Sequence, residues 1–480
     1  MNTAEWIEQA RQELLAMNIA ELQQSGILPD DGKKFFPVIG YPPLTMFRDM
    51  NEGPVFEGFQ NRSPSPLSAY VHIPFCPTRC TFCHWITKTR SKHDEVDVYI
   101  DHLEREMELF KSKMGLQRIP IKSVLFGGGT PTYPDARQLE RLMQAFHRHF
   151  DLSECTQFSV EAEPTTLLDD EGWARLQVLK DYGVDRISLG VQSFDDDVLK
   201  YMARAHDSTQ AFQAIELIRK AGIPVVFIDL IYGYPDQHVD DWARNMLQAV
   251  NHDIDGYQLY RLRIKQHGDR QGSIIKHFNN HPERFADVDD ILLMKNLGIL
   301  ISEQHGYGEH QTRIFSKKVE NISHYLRDWC CGLHDVSGVG VSSWTNLRGV
   351  FAQNIGDHDL ANYYAYIDRG QVAIDRGKVR TTDDELRRCF ILPLKNTQVD
   401  KSFYRQRTGV HAEQVFAKEL THLKQLDLIE ETEQYIRMTK RGRFFADEVS
   451  TQFFNPLYMP FTEVKKITDA DKTLSAQSTV

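Results

Sequence analysis

From Ser68 onward the chain alternates short apolar runs of strand length with stretches whose apolar positions recur every three to four residues. The runs Ala69–Ile73, Ser123–Phe126, Gln157–Glu161, Arg186–Leu189, Val225–Leu230 and Gly256–Tyr260 read as strands. Each is followed by a loop holding Gly, Pro or acidic residues and then by a helix. In the first of these helices Val96, Tyr99, Ile100, Leu103, Met107 and Phe110 form one apolar stripe. Strands joined by helical crossovers lie parallel, because a parallel neighbour is reached only through a connection of about a dozen residues or more. Six such units across 68–270 predict an α/β fold, a partial, open TIM-like βα barrel. An open doubly wound sheet is the alternative that periodicity does not exclude, and in both the functional loops follow the C-terminal ends of strands.

The flanks read differently. Residues 1–67 form an N-terminal extension: a short amphipathic helix (Trp6, Ile7, Leu14, Leu15, Ile19, Leu22) ends near Gly26, and PVIGYPPLTMFRDMNEGPVFEGF follows. That stretch is too rich in Pro and Gly for a helix or central strand and is expected to wrap over a preformed surface. Residues 271–379 lose the βα period and are expected to be a barrel-closing helical and irregular region with one strand-like segment, Ser337–Ser343. Residues 380–450 read as a mostly helical, winged-helix-like domain, with a helix over 411–427 striped by Val415, Phe416, Leu420, Leu423 and Leu426, then a hairpin. Residues 451–480 read as a tail.

Composition narrows the function. The 480 residues carry 56 Lys plus Arg against 67 Asp plus Glu, a formal charge of −11, which gives no electrostatic reason to bind nucleic acid or anionic lipid. The opening MNTAEWIEQARQELL has no signal-peptide apolar core, and the most apolar run, Val225 to Ile231, is too short to span a bilayer, so the expected location is cytoplasmic, with no integral membrane segment. Of 7 Cys, Cys76, Cys80 and Cys83 share one short loop while Cys155, Cys330, Cys331 and Cys389 are scattered. A disulfide framework would not be distributed so unevenly; the cluster asks for a metal.

YVHIPFCPTRCTFCHW sets the three cysteines at C-x3-C-x2-C spacing directly after the first predicted strand. A tetrahedral zinc site needs four ligands, and only His72 or His84 nominally completes one. Three thiolates on a tight loop suit instead a cubane 4Fe-4S cluster whose fourth iron stays open to an exogenous ligand. LFGGGTPTY ends the second strand: Gly127, Gly128 and Gly129 let backbone approach a ligand, and Thr130 and Pro131 fix the turn, although a tight turn without ligand has the same signature. Glu161, Glu163, Gln192 and Asp229 at later strand ends, with Arg204, need partners if buried. Convergence on one polar ligand explains them jointly; hydrogen bonds within the core explain them one at a time.

Together these pieces resemble the radical S-adenosylmethionine superfamily and, within it, the oxygen-independent coproporphyrinogen III dehydrogenase family, from about Tyr41 to Phe445. The matching segments are YVHIPFCPTRCTFC, FGGGTPTY, SVEAEP, ISLGVQSF, the Arg of MARAHD, IDLIYGYPDQ, SGVGVSSW and TTDDELRR. The resemblance implies that Cys76, Cys80 and Cys83 bind a 4Fe-4S cluster whose open iron takes the amino and carboxylate groups of one S-adenosylmethionine. It also implies that Gly128, Gly129 and Thr130 meet that methionine moiety and that Tyr70 and Phe82 lie beside the cofactor. Glu161, Gln192, Arg204 and Asp229 would line this site and that of a second S-adenosylmethionine, with backbone contacts from Arg263 and Trp344. The implied chemistry is one-electron cleavage of the sulfonium to methionine and a 5′-deoxyadenosyl radical, which takes hydrogen from a carbon with no acidic proton. The implied partners are a small-molecule substrate and an electron donor such as flavodoxin or ferredoxin.

Departures from the family pattern point to a branch. The dehydrogenase carries a further Cys two residues after the third cluster thiolate, where this chain has Trp85 after His84. The haem-chaperone branch carries H-N-x-x-Y-W, whereas Glu320-Asn321-Ile322-Ser323-His324-Tyr325 lacks the leading His and the Tyr-Trp pair, leaving His324 as a candidate ligand. The expectation is therefore the methyltransferase branch: C-methylation of an unactivated sp2 carbon of an aromatic, heteroaromatic, quinone or tetrapyrrole substrate, with the second S-adenosylmethionine as methyl source. A haem-binding or haem-delivery protein and the porphyrinogen dehydrogenase itself are the alternatives. Arg261 and Arg263 in GYQLYRLRIKQHG either shape a substrate pocket or lie on an edge-strand surface. His84 is the candidate catalytic proton carrier, with plain packing beside the cofactor as its alternative.

Overall fold

The computed structural model describes residues 1–28, 37–59, 65–252, 254–264 and 272–458. Six parallel strands, β1 Leu67–Ile73, β2 Ile119–Gly128, β3 Phe158–Ala162, β4 Arg186–Gln192, β5 Val225–Tyr232 and β6 Gly256–Arg261, stand side by side in chain order. Chain order without a switch point is the winding of a TIM barrel and excludes the doubly wound sheet, whose order reverses midway. All six predicted strands are present, most of them longer, and β3 is shifted by one residue. They were legible because strands covered on both faces need continuous apolar runs, as in β5, where Val226, Phe227, Ile228, Leu230 and Ile231 are all buried. The crossover helices start and stop on local chemistry: Asp207 caps helix Ser208–Ala221 by accepting from Gln210 N, and Gly222 ends it at φ +82°.

The barrel is extended rather than closed. Beyond β6 lie antiparallel β8 Ile314–Ser316 and β7 Gly308–Gln311. On the other edge β9 Val336–Val339 pairs parallel with β1, followed by β10 Trp344–Leu347, β11 Val350–Asn354 and β12 Ile374–Val379. Residues 271–379 thus hold the expected helices, among them Val288–Gln304, His324–Cys330 and Ala361–Asp368, and a strand overlapping the expected Ser337–Ser343, but the other five strands correct the expectation. Strands of three to six residues, interrupted by Gly and Ser, carry too little alternation to be recognised as a pattern. Fully buried Glu106 ties helix His93–Lys113 to this edge, accepting from Gly340 N at 2.6 Å, Asn354 Nδ2 at 2.7 Å, Tyr363 OH at 2.8 Å and Ala373 N at 3.4 Å.

The N-terminal helix is broken into Thr3–Ala16 and Ile19–Gln24 by Asn18, at φ +47°. Trp6 and Ala10 enter the barrel core, whereas Val38 and Tyr41 join a second core with Phe390, Leu423, Ile436 and Phe453 of the C-terminal domain. The expected hairpin of that domain is Ile429–Glu431 with Tyr435–Met438; the helix over 411–427 is interrupted at Phe416. The tail begins later than expected, since Phe453, Phe454 and Tyr458 are buried; residues 459–480 lie outside the described residues. One carboxylate joins four parts of the chain: Asp447 accepts from Val38 N at 2.8 Å and pairs with Lys395 at 2.9 Å and Arg313 at 3.4 Å. Among the described residues no helix is long and apolar enough to cross a membrane.

Candidate functional site

The loop after β1 carries the three thiols and is tethered from two sides. Thr81 N donates to Met202 O at 3.0 Å, Thr78 Oγ1 to Ala203 O at 3.1 Å, and Ile274 N to Thr81 O at 2.9 Å, while Thr81 and Tyr234 share a hydroxyl hydrogen bond. Gly272 is pressed on this loop so closely that a methyl there would lie 2.8 Å from the Thr81 and Phe82 backbone. Gly272→Ala is therefore expected to displace the loop and lower the iron bound after anaerobic reconstitution by about half or more, with an unchanged far-UV circular dichroism spectrum.

Cys76, Cys80 and Cys83 are free and partly accessible. Burial and the neighbouring thiols push Cys76 up to about 12 and Cys83 up to about 11. Two donors address the sulfurs, Thr130 Oγ1 to Cys76 Sγ at 3.5 Å and Arg204 Nη1 to Cys80 Sγ at 3.2 Å. Such N–H and O–H contacts stabilise thiolates that hold iron.

The glycine turn serves the protein's own packing first. A methyl on Gly128, at φ +110°, would meet the His72 ring at 2.6 Å, and one on Gly129 would meet the Phe75 and Ile73 carbonyls at 2.8 and 2.9 Å. Gly128 N donates to Glu161 Oε2 at 3.1 Å. Burial lifts Glu161 to about 7, helped by repulsion from Asp229, and burial lifts Asp229 to about 6 against the pull of Arg186. Arg186 itself lies over the Phe227 ring at 4.2 Å. Gln192 ends β4 with φ +69°, a strained backbone for a non-glycine residue. Next to it Glu163 accepts from His206 Nδ1 at 2.9 Å and pairs with Arg204 at 3.5 Å. Burial would raise Glu163, but His206 and Arg204 outweigh it and hold the carboxyl below its usual range.

The three cysteines, His84 and the residues that the resemblance gives to the cofactors all line one cavity of about 480 Å³: Tyr70, Cys76, Cys80, Phe82, Cys83, His84, Gly128, Gly129, Thr130, Glu161, Gln192, Arg204, Asp229, Arg263 and Trp344; Gly127, Pro131 and His72 are not among its lining residues. Three buried polar atoms among them, Arg204 Nε, Asp229 Oδ1 and Trp344 Nε1, have no protein partner, so the cavity is built for a polar ligand beside the thiols. The donor set suits an iron–sulfur cluster with an organic co-ligand, with three thiols on one loop, an arginine on one of them and unsatisfied donors and acceptors around the remaining space; among the described residues no three His, Cys, Asp or Glu side chains are grouped to hold a single metal ion. Aromatic rings form one wall. His84 stacks on Trp85 at 5.0 Å, Trp85 faces Trp344 at 6.2 Å, Trp344 faces Trp329 at 6.4 Å, and Tyr325 faces Tyr70 at 6.0 Å. His324, in contrast, is bonded on both ring nitrogens, to Thr156 Oγ1 at 3.0 Å and Glu320 O at 3.1 Å, and is not among the lining residues, which removes it as a ligand candidate.

Residues that sequence reasoning missed are Arg186, His206, Tyr325, Arg313 and Lys395. Arg186 opens an otherwise apolar strand and Lys395 closes the apolar run CFILPLK; a lone cation in such a setting was the available signal.

Known proteins resemble the chain in both halves. The Radical SAM superfamily model matches residues 70–246 and the HemN C-terminal domain model matches 381–445. The heme chaperone HemW of Bacillus subtilis is 29% identical over 395 residues, covering 81% of this chain and 100% of its own. The oxygen-independent coproporphyrinogen III oxidase of Escherichia coli is 26% identical over 423 residues, covering 86% and 91%. The solved structure of that E. coli oxidase, described as a radical SAM enzyme, superposes with a TM-score of 0.75 at 26% identity, covering 88% of this chain and 97% of its own. These relatives are named for porphyrinogen oxidation and haem handling and give the expected methyltransferase branch no support. With a thiol-bearing loop after the first strand of a sequentially wound barrel, residues 70–246 are a Radical SAM superfamily domain and residues 381–445 a HemN C-terminal domain.

Proposed function

We propose that the protein is a radical SAM enzyme acting on a tetrapyrrole, a reading placed ahead of the C-methylation of an aromatic, heteroaromatic, quinone or tetrapyrrole substrate that the sequence suggested. Superfamily membership brings a 4Fe-4S cluster and S-adenosylmethionine, for which Cys76, Cys80 and Cys83 are the ligands and Gly128, Gly129, Thr130, Tyr70 and Phe82 the neighbours. The chemistry these groups supply when bound is one-electron cleavage of the sulfonium, giving a 5′-deoxyadenosyl radical that takes hydrogen from the substrate. The observation that carries the tetrapyrrole reading is the wall of Trp85, Trp344, Trp329, Tyr325 and Tyr70 in the same cavity as the thiols. Aromatic faces suit the pyrrole rings of a tetrapyrrole, flat in haem and puckered at the methylene bridges of a porphyrinogen, and the relatives above are named for these two.

The chain's own residues have distinct tasks in this reading. Arg204, anchored by Gly190 O at 2.6 Å, steadies the Cys80 sulfur and turns Nε to the cofactor. Asp229 Oδ1 and Gln192 accept and donate to the cofactors, including a second S-adenosylmethionine, while Arg263 and Trp344 close that side. Glu161, with a carboxyl at about 7, holds or releases a proton near neutrality, and His84 on Trp85 carries protons at the cavity rim. Electrons come from a flavodoxin- or ferredoxin-type donor. Haem binding without turnover is the second reading, favoured by the match to HemW over that protein's full length.

The test is anaerobic incubation of reconstituted, reduced protein with S-adenosylmethionine and either coproporphyrinogen III or haem. Tetrapyrrole-stimulated 5′-deoxyadenosine formation is expected, with carbon dioxide release marking propionate oxidation and transfer of a labelled methyl marking methylation. Stoichiometric haem retention with no cleavage supports the second reading. Absence of both binding and stimulation overturns the tetrapyrrole assignment.

A further inference from the structure

We infer that Arg263, Arg313 and Lys395 form a subsite for a carboxylate of the substrate, on the β6 side of the cavity; the inference rests on the tetrapyrrole reading and adds to it the group by which the macrocycle is held. The three cations come from three parts of the fold. Arg263 follows β6, Arg313 sits on the β7–β8 turn, and Lys395 ends the helix Thr382–Asn396 of the C-terminal domain; all three line the cavity. Two carboxylates act on them: Asp447, already shared between Lys395 at 2.9 Å and Arg313 at 3.4 Å, and Glu448, whose charge bears on Arg313; neither forms an ion pair with Arg263 among the described residues. Asp447 does not line the cavity, so the side presented to a ligand is cationic.

Arg263 is the decisive member. Among the described residues it makes no hydrogen bond and no ion pair. Burial, with the Arg313 charge beside it, pulls its guanidinium down to about 10, still charged at neutral pH. The carboxylates at the other strand ends do not relieve it, since Glu161 and Asp229 face Arg186. A sequestered guanidinium without a counter-ion is costly, and a bidentate carboxylate from a ligand removes that cost. The family resemblance gives the Arg263 backbone to a cofactor and leaves its side chain unassigned. Haem and coproporphyrinogen both carry propionates at the rim of the macrocycle, which matches an aromatic wall with cations beside it.

S-adenosylmethionine also carries a carboxylate, so the experiment separates the two sources. Wild type, Arg263→Gln and Arg263→Lys are titrated with haem and with haem dimethyl ester by Soret absorbance, S-adenosylmethionine binding is measured in parallel by equilibrium dialysis, and thermal melts report folding. Wild type is expected to bind haem about tenfold or more tighter than the ester. Arg263→Gln is expected to erase that preference by weakening haem alone, and Arg263→Lys to restore part of it. Because Arg263 makes no hydrogen bond among the described residues, its replacement leaves their internal network intact. Equal affinity of wild type for acid and ester overturns the subsite and leaves the tetrapyrrole reading standing. Loss of S-adenosylmethionine affinity in Arg263→Gln with the acid preference retained assigns the cations to the cofactor and also overturns it. If neither macrocycle binds, the tetrapyrrole reading falls and the subsite with it.

Discussion

Cys80→Ser is expected to bring the iron and sulfide of anaerobically reconstituted protein to background and to lower 5′-deoxyadenosine formation by on the order of a thousandfold or more. Cys76, Cys80 and Cys83 are the three thiols of one loop; of the other four, Cys155, Cys331 and Cys389 are not among the residues lining the cavity, and Cys330 lines it from a different element, the helix His324–Cys330. A serine hydroxyl is a poor replacement for a thiolate at iron. Arg204→Met makes the informative contrast. It removes the N–H on Cys80 Sγ and the charge beside Glu163 while leaving all three thiols. Iron is then expected to remain near wild-type content while cleavage falls by about ten- to a hundredfold. Iron quantification with electron paramagnetic resonance of the reduced protein distinguishes the two; an Arg204→Met protein devoid of iron would make that arginine part of cluster assembly instead.

Glu106→Leu is expected to cost on the order of 3 kcal/mol or more, read from urea midpoints. Leucine strands the Gly340 and Ala373 amides, the Asn354 amide and the Tyr363 hydroxyl, all inside the core. Burial holds the Glu106 carboxyl above its usual range despite those four donors. A folded-state value above the unfolded one makes the contribution of this group greatest below the ordinary carboxylate range, and it declines as pH rises through the raised value. The gap between wild type and Glu106→Leu should therefore narrow with rising pH over that window; a gap that widens would contradict the buried carboxyl. Since Gly340 belongs to the turn that leads into Trp344, the variant is also expected to bind S-adenosylmethionine more weakly even where it remains folded.

The sequence displayed the parts of the site that are local and concealed those assembled at a distance. C-x3-C-x2-C and GGGTP are each contiguous, and the six buried strands needed long apolar runs, so loop, turn and barrel were readable together. The reason for the glycines was less so: Gly128 and Gly129 make room for the His72 ring and the Ile73–Phe75 backbone, contacts that no spacing along the chain reveals. The Glu163–His206–Arg204 arrangement spans more than forty positions, and Arg263, Arg313 and Lys395 come from two domains. Of β7 to β12 only β9 was anticipated, by the strand-like segment Ser337–Ser343; the others were missed for a different reason, being too short to establish a period before the chain turns. Trp85, the departure that suggested methylation, occupies the aromatic wall opposite Trp344, where its ring has a packing role independent of reaction type.

Asp447 has a consequence in the order of synthesis. The barrel and its thiol loop leave the ribosome well before residue 447, whereas the carboxylate that braces Val38, Arg313 and Lys395 comes with almost the last described helix. A nascent chain can thus fold the part that accepts iron while the chamber above it is still unbraced. Sealing the chamber waits for the chain's far end, so an incomplete polypeptide has the means to hold a cluster but lacks the enclosure in which a radical is safe to make.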